Sequence, residues 1–246
     1  MAKQKLNLAL LMVDGSPIGL SYLAAILKNN ITLSCIILST QYKITDLATE
    51  TVNTRSKNTF VWEKNIAALL QDQEVPVYYT GTHNSKFTIE ILRKHKIDVA
   101  MLGGTGIIKQ PTIDTPKWGI INVHPSMLPD YKGCSAVEWA IYNDDAVGAT
   151  GHFLTEEIDV GDIIARGEVS VEHGDLYHDV RRKAYANQAV VLVKTLRALE
   201  HPQAKKRLMV NEGGTYYKTM PPETVREVKR KLQNGLYKRY VKKTSE

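Results

Sequence analysis

With 246 residues, 43% of them hydrophobic and 24% charged, the chain has apolar material for one sizeable domain and a small appendage. No apolar run reaches the length of a membrane span, Met1 to Leu11 is too short and poorly flanked for a signal peptide, and Cys35 and Cys134 lack metal-ligand spacing. A cytoplasmic protein with reduced thiols, no metal and no membrane partner is therefore expected. The formal net charge of +6 sits at one end: residues 224–246 hold eight basic and two acidic residues, while 24 of each balance elsewhere. That predicts a solvated tail rather than a nucleic-acid arm, because only Tyr237 and Tyr240 offer stacking partners there.

In chain order, Leu6 to Val13 is a near-continuous apolar run, as in a strand buried on both faces of a parallel sheet. Ser16 as N-cap and Pro17 at the first helical position start a helix through Leu27, and Ile31 to Ser39 completes a βαβ unit. Gly15-x-x-x-Gly19 lacks the spacing of a phosphate-binding fingerprint and reads as strand-to-helix punctuation. Residues 40–60 are polar and aperiodic, which predicts a long loop or an irregular helix. A helix over Trp62 to Gln71, a strand over Val75 to Tyr79 and a helix entered at Asn84 or Ser85 follow. The strand Ile97 to Leu102 then ends in GGTGII, whose glycines suit either a ligand approaching the backbone or a tight turn.

The segment Gly119 to Ile164 holds most of the chemistry. Asn122 and His124 lie at i and i+2 of a strand that Pro125 ends, so amide and imidazole share a face. The loop LPDYKG and a helix containing Trp139 come next, then a strand Ala149 to Leu154 with His152, then EEIDVGD with Asp159. An amide donor, a base titrating near neutrality and a carboxylate suit acyl transfer to nitrogen without a covalent enzyme intermediate. No G-x-S-x-G nucleophile competes. Taken singly, Asn122, His124 and Asp159 read first as hydrogen-bonded strand-end or turn residues, and His152 as a satisfied core histidine. A metal site from His124, His152 and Asp159 has no ligand spacing behind it.

Beyond this segment, a strand end is expected at Glu168 to Val171 and a long amphipathic helix over Asp175 to Glu200. Residues 201–208 read as a linker, and LMVNEGGTYYKTMPPE, residues 208–223, as two short strands around Gly213-Gly214, a hairpin needing a partner such as a second subunit. The fold class predicted is α/β, a doubly wound and mostly parallel sheet with a C-terminal hairpin and helix appendage. The division predicted is a core over 1–200 and a small subdomain over 201–246.

NVHPSMLPDYKG followed by GATGHFLTEEIDVGDII resembles the signature of the formyltetrahydrofolate-dependent formyltransferase family, over roughly residues 5–200. The resemblance implies a Rossmann-like core, 10-formyltetrahydrofolate as formyl donor, and Asn122, His124 and Asp159 as catalytic residues. It implies a donor pocket from Gly103, Gly104, Thr105, Gly106, Ile107 and Ile108 together with Glu157, Ile158 and Asp159, although the Arg many members carry in the first of these loops is absent. The short C-terminal region, with GGTYYK at Gly213 to Lys218, and the Trp-Ala-Ile at Trp139 are similar to nucleotide-sugar N-formyltransferases. An amino group on a nucleotide-linked 4-amino-deoxysugar, used for cell-surface glycans such as O-antigen or lipopolysaccharide, is thus the implied acceptor, with Lys132 and Trp139 as substrate contacts. A homodimer is implied too. Formyl transfer to methionyl-tRNA or phosphoribosylglycinamide, hydrolysis of formyltetrahydrofolate, and a non-catalytic binding module stand as alternatives. The hydrolases of the family carry a domain ahead of this core, whereas the first strand here is expected to begin at about Leu6.

Overall fold

The computed structural model describes residues 4–241. Leu8–Val13 form β1, buried along its whole length. Alternate residues point to opposite faces, so Leu8, Leu10 and Met12 enter one core while Ala9 and Leu11 enter another. A chain apolar at every position is what a strand covered on both sides needs. α1 (Pro17–Lys28) starts as the sequence suggests: the Ser16 hydroxyl accepts from the Gly19 N–H at 3.2 Å, and Pro17 opens the helix. β2 (Cys35–Ser39) returns parallel to β1.

Residues Tyr42–Ser56 form α2, a regular fifteen-residue helix rather than a loop or irregular helix. Its polarity reflects exposure, since only Val52 and Ser56 are buried in it. Val52 packs with Phe60 and Tyr185, and the Thr45 hydroxyl donates to the Asp14 carbonyl at 2.8 Å, which pins the helix start beside β1. α3 (Ile66–Leu70) is shorter than expected, and Trp62 precedes it, stacked on Phe60 at 5.8 Å. β3 (Val77–Thr80), α4 (Lys86–Lys94, capped by Ser85), β4 (Val99–Gly103), the short α5 (Gln110–Ile113) and β5 (Gly119–His124) follow.

A three-residue strand, β6 (Tyr131–Gly133), lies in the LPDYKG loop, and α6 (Ala136–Tyr142) carries Trp139. β7 (Gly148–Phe153) and β8 (Ile163–Glu168) run antiparallel to their neighbours, giving a seven-stranded sheet ordered β3-β2-β1-β4-β5-β7-β8 whose first five strands are parallel. The order reverses between β1 and β4, so a crevice opens beyond their carboxyl ends. β8 occupies residues 163–168 rather than 168–171, because Val169 and Val171 serve a second core with Val180. α7 (Tyr177–Leu199) covers the sheet face that also holds α1.

The anticipated hairpin around Gly213-Gly214 does not form. Its second half is β9 (Thr215–Tyr217), which pairs in parallel with β6, while Met209 bridges to Ile163 of β8. Gly214 has φ +73, and a side chain there would overlap the Pro129 carbonyl, so this turn seats β9 against β6 only with glycine. Because β9 finds its partner in its own chain, the reason for expecting a second subunit at this strand disappears. The 201–208 stretch contains a 3-10 turn, Ala204–Arg207, with Ala204 buried.

Nor are the described residues of the basic end a solvated tail. α8 (Pro222–Gln233) buries Val228 and Leu232, and Tyr237 is buried beyond it. Lys231 donates to the Tyr142 carbonyl at 2.7 Å at the end of α6 and pairs with Asp144 at 2.8 Å, while the Tyr237 hydroxyl donates to the Asp145 carbonyl at 2.6 Å. Positive charge is used here to cap a helix C-terminus and to meet Asp144. Lys242, Lys243 and Glu246 lie outside the described residues.

Candidate active site

β5 and β7 supply three side chains on one face. Asn122 sits directly opposite His152 in the antiparallel pair, and His124 follows two residues after Asn122. Asp159 comes from the 154–162 loop, which folds back so that its carboxylate stands between both imidazoles. Its Oδ2 is 3.4 Å from His124 Nδ1, and its Oδ1 is 3.7 Å from His152 Nε2. His124, His152 and Asp159 are all buried, whereas Asn122 is half-buried and its amide has no hydrogen-bond partner among the described residues.

The other ring nitrogens fix the tautomers. His124 Nε2 lies 3.1 Å from the Tyr131 carbonyl, and His152 Nδ1 lies 2.9 Å from the Phe153 carbonyl. A carbonyl only accepts, so each of these nitrogens carries the proton. In the neutral rings the remaining lone pairs, His124 Nδ1 and His152 Nε2, both face Asp159. The site is thus arranged to receive one proton between a ring and the carboxylate.

Burial lowers the pKa of His124 against the pull of Asp159 and of its bond to Tyr131. Burial also lowers that of His152, to about 4, with Asp159 opposing and His124 adding to the shift. Both rings therefore rest as neutral bases, and the nearby carboxylate favours the charged form once a proton arrives.

Asp159 is held from three directions. Its backbone is left-handed, φ +57, a conformation Asp tolerates better than most residues. The Gly133 N–H of β6 donates to its Oδ2 at 2.9 Å. The Asn211 side chain, buried, donates to the carbonyls of Asp159 and Gly161, both at 2.9 Å. Asn211 and Gly133 escaped sequence reasoning, since each acts over a long separation through a backbone group. The only local signal was Asn211 standing just before a Gly-Gly turn.

The structure does not gather the other expected site residues so closely. Gly103 and Gly104 press on α1, where a side chain on Gly104 would overlap the Ser16 hydroxyl, so their smallness serves packing. Ile108 is buried in the core, but Ile107 is 88% exposed, and the loop borders a cavity of about 50 Å³ with Gln41, Thr82, His83 and Asn84. Asn84 holds that loop by donating to the Ile107 carbonyl at 2.8 Å and accepting from the Lys109 N–H at 2.7 Å. Thr105 and Gly106 complete it; Glu157 and Ile158 are exposed, the latter 58%. Trp139 is engaged by the C-terminal segment: its indole N–H donates to the Lys218 carbonyl at 3.1 Å and its ring lies 5.0 Å from that of Tyr217. Lys132 is buried on β6 without a carboxylate partner among the described residues. The described residues contain no grouping of three or more His, Cys, Asp and Glu suited to a metal ion, and no helix long and apolar enough to cross a membrane.

Residues 7–196 match the family model described as formyl transferase. Curated relatives include methionyl-tRNA formyltransferase of Clostridioides difficile (strain 630), 26% identical over 191 residues that cover 76% of this chain and 62% of that protein. The bifunctional polymyxin resistance protein ArnA of Wigglesworthia glossinidia brevipalpis is 29% identical over 168 residues, which cover 68% of this chain and 25% of that protein. The chain thus spans less than two thirds of the length of these relatives. Among solved structures, phosphoribosylglycinamide formyltransferase from Anaplasma phagocytophilum superposes with a TM-score of 0.59 at 21% identity, covering 89% of this chain and all of that one. A sugar N-formyltransferase from Shewanella sp. FDAARGOS_354 gives 0.56 at 18% identity, covering 87% and 77%. These two share the α/β fold.

Proposed function

The chain belongs to the formyl transferase family, and from that premise we propose that it moves a formyl group from 10-formyltetrahydrofolate to the amino group of a nucleotide-linked 4-amino-deoxysugar. The observation that carries this reading is the placement of the Asp159 carboxylate 3.4 Å from His124 Nδ1, on a strand that also presents the unpartnered amide of Asn122. The donor, when bound, supplies a formyl carbon already activated on nitrogen. The loops Gly103 to Ile108 and Glu157 to Asp159 would hold it. They fit that task in offering two apolar side chains, Ile107 and Ile158, to solvent.

Asn122 donates its N–H to the carbonyl oxygen as negative charge builds there, an effect worth roughly 10²–10³ in rate where single donors have been removed. His124 accepts the proton that the attacking amine must lose, on Nδ1, because its Nε2–H is tied to Tyr131. Asp159 stabilises the imidazolium that forms, while the Tyr131 carbonyl keeps the neutral ring in this tautomer. As the new C–N bond forms, the formyl carbon's bond to the donor nitrogen would break, and the proton taken up by His124 would pass to that leaving nitrogen, so no side chain forms a covalent bond in this scheme.

A nucleotide sugar is favoured as acceptor by the C-terminal segment. Gly213 to Lys218 resembles that of sugar N-formyltransferases, and here it is built into the site through the β6–β9 pairing. Lys132, buried on β6, is the proposed contact for the acceptor's charge. The curated methionyl-tRNA formyltransferase relatives support tRNA as the second reading. The test is purified protein with 10-formyltetrahydrofolate, offered dTDP-, UDP- and GDP-linked 4-amino sugars, phosphoribosylglycinamide and methionyl-tRNA in parallel. Formylated sugar is expected; product only with the tRNA or the ribonucleotide would overturn the acceptor, and none with any would overturn the transfer.

A further inference from the structure

A cavity of about 400 Å³ opens between the end of α2, the start of α7 and the outer side of α8, and none of the site residues discussed above lines it. Its walls carry Arg55, Lys57, His178 and Lys229, with Gln233 and Tyr177 among them and no carboxylate. Lys57 and Lys229 are exposed, and among the described residues Arg55, Lys57 and Lys229 form no ion pair. The Lys229 ammonium rests 5.1 Å from the centre of the Tyr177 ring, a contact of modest strength that a phosphate would displace.

The wall behind Tyr177 supplies a reason for so much positive charge. Glu138 on α6 is buried, with Tyr177 donating to it at 2.6 Å and Arg181 Nη1 3.6 Å away. Burial works to raise its pKa, but Arg181, Arg55 and the Tyr177 hydroxyl outweigh it and hold Glu138 below the usual carboxylate range. That acid is already matched by Arg181, which is itself buried and stacked over the Tyr185 ring at 4.7 Å. Lys57 and Lys229 therefore face the cavity as surplus positive charge, and Arg55, which also acts on Glu138, lines it beside them. The Lys57 backbone is left-handed, φ +47, and so is that of Asn58, φ +58. Two such residues in succession turn the chain sharply at the end of α2, at the rim of the cavity.

We propose that this cavity binds a phosphate-bearing small molecule, with Arg55, Lys57 and Lys229 meeting its phosphates and the Tyr177 ring its less polar part. A volume of this order suits a nucleotide-sized ligand, and converging Arg and Lys groups are the usual means of holding a diphosphate. The same chemistry has two sources, the phosphorylated end of the acceptor or a separate phosphorylated ligand. The site stands independently of the formyl-transfer reading, because binding is measured without turnover.

The experiment is calorimetric titration of the full chain with inorganic pyrophosphate and, separately, with UDP, at low and at moderate salt. Saturable one-to-one binding is expected, weaker at higher salt and at least about tenfold weaker in a Lys57→Gln/Lys229→Gln variant. These two side chains are exposed, so the variant should keep the wild-type melting temperature; Arg55→Gln provides a second reading of the same loss. No saturable binding of either probe, or unchanged affinity in both variants, overturns the proposal. With wild-type protein, pyrophosphate that competes with the acceptor identifies the cavity as the acceptor's phosphate subsite, and binding without competition identifies a separate ligand; either supports the site.

Discussion

Asn122 and Asp159 reach the same site by different means. Asn122, like His124, is placed by the register of β5, a strand paired on both sides and fed by a buried apolar run. Asp159 stands on a loop in a left-handed conformation, held by Gly133 from 26 residues away and Asn211 from 52. A strand fixes a side chain through neighbours that any apolar sequence of the right period provides. A loop needs particular partners, and those partners here belong to the C-terminal segment or to the short strand it pairs with. The difference teaches that the site has a rigid half and a half assembled at long range.

Removing the strand-borne groups should do most damage to chemistry. Asn122→Ala and His124→Ala are each expected to lower turnover by at least about 10², with the melting temperature and donor binding little changed; near-normal turnover in either would remove its role. The long-range half should respond in stability first. Leu232→Ala, which empties a fully buried position on α8, is expected to cost ~2–5 kcal/mol, read by denaturant titration, and a change within ~0.5 kcal/mol would return α8 to the status of a solvated tail. Asn211→Ala leaves two loop carbonyls without their donor. A cost of ~1–3 kcal/mol is expected, together with lower turnover and an unchanged KM for the acceptor, and Asn211→Asp, which cannot donate, should behave alike.

The smallest effect is on pH. His152 has an ordinary pKa of 6.5 when unfolded and about 4 in the folded chain, so between these values the unfolded state binds a proton that the native state refuses. Its contribution is full above pH 6.5 and fades as the pH falls towards 4. The melting temperature should drop across that window, and His152→Asn should flatten the drop. An unchanged slope in that variant would show that the acid sensitivity comes from other groups.

The sheet was legible in the sequence because strands covered on both faces, such as Leu8–Val13 and Cys35–Ser39, need apolar residues at every position. Asn122 and His124 were legible for a related reason: polar groups at the end of such a run stand out. α2 was not, since a helix that buries only two of its residues shows no apolar period. The β6–β9 pairing was not either, because a parallel pair between residues more than 80 apart leaves no local mark beyond the glycines that permit close approach. The basic end misled for a physical reason as well: Lys231 and Lys238 meet Asp144, a partner that charge counting along the chain cannot find.

The β6–β9 pairing also joins residues synthesised early to residues synthesised late. A nascent chain that has emerged only as far as Leu199 holds every strand of the large sheet, yet lacks the residues that dock against Tyr131–Gly133 and clasp the Asp159 loop. Asn211, which holds the Asp159 loop, is thus made after every strand of the large sheet. The 201–208 stretch is the covalent tie between the two, and its Ala204 is buried against the core.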